Sequence, residues 1–111
     1  MKTVLERLLD YVRFDTTSNE TTGSHPSTPN QMALARHLAE EMRTIGILNV
    51  NVSEHGYVTG EVPATPGLEH APALGFIAHV DTSDAASGAD VKPQIVSYRG
   101  GIIPLGTSGK A

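Results

Sequence analysis

The stretch Ala-Leu-Gly-Phe-Ile-Ala-His-Val-Asp-Thr-Ser, at positions 73–83, is the part of the sequence that decides the fold. Its first six residues are an unbroken apolar run, which is typical of a strand buried on both faces of a sheet. Two helix patterns and a hairpin pattern precede this run. We therefore expect an α/β fold in which a mixed sheet, with a strand at 73–79, is flanked by helices.

The two helix patterns lie upstream of this strand. Over residues 3–14, Thr3 and Glu6 have the spacing of a capping box ahead of one apolar stripe formed by Val4, Leu5, Leu8, Leu9 and Val12. Over residues 28–45, Thr28 is the predicted N-cap, with Pro29 at the first helical position and Gln31 completing the box. The stripe of this second helix comprises Leu34, Leu38, Met42 and Ile45, and Gly46 follows as a predicted C-terminal cap.

Further strands are predicted on both sides of the apolar run. Residues 49–54 and 57–62 alternate apolar and polar side chains around a His55-Gly56 turn, which indicates a hairpin. Short strands are also predicted at 94–97 and 101–105. The polar segment 15–28 is predicted to be a loop, and loops of this length are usually functional or mobile.

Composition excludes several classes of protein. The chain has 111 residues, 8 Lys+Arg against 12 Asp+Glu, a net charge of −4 and no cysteine. One small domain or a piece of a larger one fits this length, and the absence of a basic run argues against nucleic-acid or anionic-membrane partners. Without cysteine, any metal must be bound by His, Asp, Glu or water. The N-terminus lacks the pattern of a signal peptide, and we expect a cytoplasmic protein.

His79 and Asp81 are the candidate site residues. Side chains two positions apart in a strand project from the same face, and ligand sites of α/β sheets form beyond the carboxyl ends of the strands. An imidazole is a good zinc ligand, and a carboxylate beside it can hold the ring. On spacing alone, a metal ligand and a hydrogen-bonded pair that merely caps a strand both remain open.

The other polar candidates are assigned to the solvated surface. They are His25, His37, His55, His70, Asp84, Asp90 and the adjacent pair Glu40-Glu41, which we place on a solvated helical face. The segment Gly106 to Lys110 is excluded as a phosphate-binding loop, because Pro104 and Ala111 occupy positions where that pattern requires Gly and Ser or Thr.

Several segments, in order along nearly the whole chain, match the motifs of one known protein family. They are Leu5 to Val12 with Asp15-Thr16, then Pro26-Ser27-Thr28, Gly46 to Val52, Gly75 to Ser83, Pro93 to Val96 and Tyr98 to Gly101. In these segments the sequence resembles the co-catalytic zinc exopeptidases, a family that includes aminoacylases and the diaminopimelate desuccinylase. Within it the resemblance is to the tripeptide aminopeptidases.

The resemblance implies a function for the two site residues. His79 would ligate one of two zinc ions, and Asp81 would act in catalysis by orienting and tuning His79. The family's bridging Asp, Glu-Glu pair, further acidic ligand and final His come from sequence beyond position 111. Residues 1–111 would then be the N-terminal portion of the catalytic domain, without its remainder and without the dimerisation or lid domain.

The implied activity is removal of the N-terminal residue from tripeptides by metal-assisted hydrolysis. The resemblance implies that this chain alone is inactive, because it supplies one identified ligand. Self-association or a homo-oligomer is expected from exposed apolar surface. The alternative is a non-catalytic module that keeps the fold and lacks the peptidase chemistry.

Overall fold

The structure is a computed structural model that describes residues 2–105. The order of its elements is helix α1 (Val4–Tyr11), helix α2 (Gln31–Thr44), strand β1 (Leu48–Val52) and strand β2 (Val58–Glu61). This is a mixed α/β arrangement, as predicted, but within residues 2–105 the sheet is a two-stranded antiparallel hairpin and not the predicted mixed sheet. The segment 106–111, with the excluded phosphate-loop pattern, lies outside the described residues.

Helix α1 begins at the predicted capping box. The Thr3 hydroxyl accepts a hydrogen bond from the Glu6 backbone N–H at 3.2 Å, and the Glu6 carboxylate accepts one from the Thr3 N–H at 2.7 Å. These two bonds satisfy donors that a helix N-terminus otherwise leaves free. The apolar stripe of α1 is largely uncovered, because Val4, Leu5 and Leu8 are exposed.

Helix α2 ends as predicted but begins differently. The Gly46 and Ile47 N–H groups bond to the Arg43 and Met42 carbonyls, and Gly46 has a φ of +89°, which is the Schellman ending that favours glycine. The predicted Thr28 cap is wrong. The N-cap is Asn30, which makes no side-chain cap bond among the described residues. Residues 28–30 form turns ahead of the helix, and the Thr28 hydroxyl donates to the Thr17 carbonyl at 2.9 Å.

Strands β1 and β2 form the predicted hairpin. They pair antiparallel, with Asn51 opposite Thr59 and Val52 opposite Val58. Gly56 lies in the turn with a φ of +82°. Helix α2 packs on this hairpin, and the Arg43 guanidinium donates to the Val50 carbonyl at 3.2 Å.

The predicted strand at 73–79 is absent from the structure. These residues have no regular secondary structure, and Phe76 is 94 % exposed. A strand requires a hydrogen-bonded neighbour, and within residues 2–105 the β1–β2 hairpin pairs only with itself. The short strands predicted at 94–97 and 101–105 are also wrong, for the same reason.

The buried core is small and lies on α2. Its apolar members are Leu34, Ala35 and Ala39. Total accessible surface is 9153 Å², against about 5,900 Å² for a compact monomer of 11.7 kDa. The radius of gyration is 17.5 Å, against about 13 Å for a compact domain of this length. The described fold therefore leaves far more surface in water than a closed domain does.

Candidate functional site

His79 and Asp81 lie together in the structure although the strand predicted to carry them is absent. His79 Nδ1 lies 3.2 Å from Asp81 Oδ1 and 2.9 Å from the Asp81 carbonyl oxygen. The His79 side chain is 86 % exposed, and that of Asp81 is 46 % exposed. The contact joins residues two positions apart, and the His79 ring lies at the surface.

The partners of His79 decide which ring nitrogen carries the proton. A carbonyl oxygen and a carboxylate oxygen are both acceptors, so Nδ1 forms these bonds as a donor. In the neutral ring, Nε2 then keeps its lone pair. Metal-ligating histidines commonly have this arrangement, with the distal N–H donated to a carboxylate or a backbone carbonyl.

The described residues fit one metal-ligand position and do not fit a complete zinc site. His79 offers a free Nε2 with an acceptor behind the ring. A zinc site takes three or four protein ligands, and no group of three His, Asp or Glu side chains within residues 2–105 is placed to hold an ion. No catalytic step through a metal follows from these residues alone.

A groove runs beside His79. Its volume is about 410 Å³, and its lining is mostly apolar. Its lining includes Ala78, His79, Val80 and Thr82 together with Tyr11 of α1 and Leu34 and Leu38 of α2. The groove therefore brings side chains of both helices next to the residues around His79.

A cluster around Thr17 joins the loop 15–18 to the segment after Asp81. Asp15 Oδ1 accepts bonds from the Thr17 hydroxyl at 2.6 Å and the Thr17 N–H at 3.0 Å. These two bonds, the hydroxyl's first, lower the pKa of Asp15 below its ordinary value. Thr17 also forms a parallel bridge with Thr82. Sequence reasoning missed this cluster, whose only local signal was the polar loop.

Glu41 does not lie on the solvated face that the sequence predicted for it. Its side chain is only 14 % exposed, and it accepts a hydrogen bond from the Tyr11 hydroxyl. Arg7 Nε lies 3.0 Å from Glu41 Oε1, an ion pair without the angle of a hydrogen bond. Glu40, by contrast, is 77 % exposed, so the solvated-face prediction is right for Glu40 and wrong for Glu41.

His37 is also not the solvated residue that the sequence predicted. Its ring packs against Phe14 and Tyr11, with centroid distances of 5.1 and 6.0 Å. Its Nε2 atom is buried and has no hydrogen-bond partner among residues 2–105. The two aromatic rings that contact His37 come from the end of α1 and the turn after it, and they leave the residue half-buried.

Comparison with known proteins gives one consistent name. The chain is 47 % identical over 111 residues to peptidase T of Aliivibrio fischeri, covering 99 % of this chain and 27 % of that protein. It is 50 % identical over 103 residues to peptidase T of Parabacteroides distasonis, covering 93 % of this chain and 25 % of that protein. The chain resembles peptidase T over nearly its whole length. This confirms the resemblance drawn from the sequence motifs.

Other comparisons limit what the resemblance covers. Peptidase T of Clostridium novyi is 47 % identical over 96 residues, which is 23 % of that protein. The chain thus spans about a quarter of the length of the peptidase T proteins it matches. No protein-family model matches the chain. Across residues 2–105, neither helix has the length and apolar character needed to cross a membrane.

Proposed function

We propose that this chain is part of a metal-dependent aminopeptidase that removes the N-terminal residue from tripeptides. The observation that carries the proposal is the identity of 47 to 50 % with peptidase T proteins over 86 to 99 % of the chain. Peptidase T is the tripeptide aminopeptidase of the zinc exopeptidase family that the motifs resemble. Residues 1–111 would form the N-terminal portion of its catalytic domain, acting in the cytoplasm.

His79 is the proposed zinc ligand, through Nε2. Its support is the Nδ1 bond to the Asp81 carbonyl at 2.9 Å and the contact with the carboxylate at 3.2 Å. Both acceptors favour the tautomer in which Nε2 is free to bind. The exposed ring would also be accessible to groups supplied by a longer chain.

Asp81 is proposed to hold His79 rather than to bind the metal. A carboxylate behind a ligating imidazole fixes the ring orientation and raises the basicity of the ligand. When bound, zinc polarises the scissile carbonyl and lowers the pKa of a bound water. This chain would place one imidazole at that ion and fix the tautomer of the imidazole.

The isolated chain is not expected to hydrolyse tripeptides. One imidazole leaves most of the coordination of a zinc ion to water, and a metal held so weakly cannot position a nucleophile. A positioned general base is typically worth about 10²–10⁴-fold in rate, and the family takes that Glu from sequence beyond position 111.

The experiment compares this chain with a protein that continues through the remaining family motifs. Release of the N-terminal amino acid from a tripeptide is measured with and without added zinc. We expect activity in the longer protein and none in the 111-residue chain. Zinc-dependent turnover by the short chain would contradict the proposal, and an inactive longer protein with bound metal would favour the non-catalytic module.

A further inference from the structure

The segment that carries His79 and Asp81 is attached to the preceding chain at few points. Among the described residues, backbone bonds join it to the earlier loop only at Thr82. The Thr82 N–H donates to the Thr16 carbonyl at 3.1 Å, and the Thr82 carbonyl accepts from the Ser18 N–H at 2.9 Å. Thr82 directly follows Asp81, so this bridge holds the chain immediately after the pair.

The loop side of the bridge is held by Asp15. Its Oδ1 atom accepts from both the hydroxyl and the N–H of Thr17. Thr16, between them, is only 3 % exposed although its side chain is polar. The backbone that hydrogen-bonds to Thr82 is therefore held by buried Thr16 and by the Asp15 carboxylate, which accepts two hydrogen bonds.

The Thr17 hydroxyl also contacts the chain further along, at Gly88. The Gly88 N–H donates to Thr17 Oγ1 at 3.1 Å. A β-carbon at position 88 would lie 2.7 Å from Thr17 Oγ1, 2.9 Å from Asp15 Oδ1 and 3.2 Å from Thr82 Oγ1. The chain therefore passes Thr17 at both Thr82 and Gly88, and the close approach at Gly88 requires glycine.

We propose that Asp15 and Thr17 are positioning residues for His79 and Asp81. They form a clamp, made of Asp15, Thr17, Thr82 and Gly88, that fixes the register of the segment and thereby the Nδ1 contact of His79. The purpose assigned to this contact rests on the proposed function, whereas the clamp itself is a property of this chain.

The test uses two substitutions at Thr17 that separate the hydroxyl from the methyl group. Thr17→Val removes the hydroxyl, and Thr17→Ser keeps it. Thr21→Val is the matched control, because Thr21 bonds to Asn19 Oδ1 through its N–H and hydroxyl at 2.9 and 2.8 Å, as Thr17 does to Asp15, and lies in the same loop. The readouts are exchange of the Thr82 amide and the His79 tautomer by ¹⁵N NMR of the 111-residue chain.

We expect Thr17→Val to speed exchange of the Thr82 amide by roughly tenfold or more, because it removes both hydrogen bonds of the Thr17 hydroxyl, the one to Asp15 Oδ1 and the one from the Gly88 N–H. The His79 ring should lose its preference for the proton on Nδ1. Thr17→Ser and Thr21→Val should keep both properties. An unchanged tautomer and unchanged exchange in Thr17→Val would overturn the proposal.

A second variant covers the case in which Thr17→Val loses its helical circular-dichroism signal. Gly88 lies outside both helices, and Gly88→Ala adds a methyl group that displaces the Thr17 hydroxyl. It should produce the same change in the His79 tautomer. An unchanged His79 tautomer in Gly88→Ala would overturn the clamp. Neither readout requires metal or peptidase activity, so failure of the proposed function is seen separately, in the tripeptide assay.

Discussion

The Tyr11 hydroxyl donates a hydrogen bond to the Glu41 carboxylate and thereby joins α1 to α2 across 30 positions of sequence. Burial, and then the bond to Glu41, raise the pKa of Tyr11 to about 12. Arg7 lies against the same carboxylate. Because Val4, Leu5 and Leu8 of the apolar stripe of α1 are exposed, we count these polar contacts among those that attach α1 to α2.

Tyr11→Phe is expected to lower the free energy of unfolding by about 1.5 kcal/mol, near the lower end for a hydrogen bond to a charged group. Urea unfolding followed by circular dichroism measures this change. Tyr57→Phe is the matched control, since Tyr57 is exposed and its hydroxyl forms no hydrogen bond within residues 2–105. Equal effects of the two substitutions would contradict the proposed link between α1 and α2.

The same contact predicts a loss of stability at high pH. The unfolded tyrosine titrates near its ordinary value of 10.0, and the folded one at about 12. Because the folded state keeps the proton longer, the stabilisation is complete below pH 10 and is lost as the pH rises toward 12. Tyr11→Phe should remove this part of the pH dependence, which unfolding curves at several pH values can measure.

The packing of α2 on the hairpin predicts a large effect at Gly60. A β-carbon there would lie 2.5 Å from Ile47 Cγ2 and 2.6 Å from Met42 Cε. Gly60→Ala should cost about 1–3 kcal/mol, the range for overpacking. Gly75→Ala, where a β-carbon meets nothing within 4 Å, is the control and should change stability by no more than about 0.5 kcal/mol. Similar costs at both sites would show that Gly60 is not in a packed interface.

The exposed surface predicts self-association or marginal stability of the isolated chain. Accessible area exceeds that of a compact monomer by roughly 3,300 Å², which is more than the roughly 1,000–2,500 Å² that each partner commonly buries in an obligate interface. Phe76 and Ile77 are almost fully exposed within it. Sedimentation should show oligomers that Ile77→Ser weakens. A clean monomer that melts cooperatively above about 60 °C would contradict this expectation.

Local patterns predicted the helices and the hairpin because their signals are local. The Thr3–Glu6 box and the Gly46 ending depend on residues within one turn, and the alternation at 49–54 needs only its near neighbour. The apolar run at 73–78 has a strand's composition, but pairing depends on a second strand that composition cannot supply.

The candidate site was predictable only in part, for a similar reason. The His79–Asp81 contact spans two residues and follows from spacing. The Thr17–Gly88 contact spans 71 residues. The Thr28 hydroxyl, predicted to cap α2, donates to the Thr17 carbonyl. The periodic spacing of apolar residues carries no information about such long-range partners, so the clamp is seen only in the structure.

The metal content and tripeptide hydrolysis of the longer protein, measured on the His79→Ala variant, test the central claim most directly. His70→Ala is the control, since His70 is an exposed histidine of a proline-rich loop. We predict that His79→Ala loses one metal ion and its activity, that His70→Ala keeps both, and that Asp81→Ala turns over more slowly, with metal retained or bound roughly 10–100-fold more weakly. A His79→Ala variant that keeps both metals and full activity would contradict the assignment of His79 as a ligand.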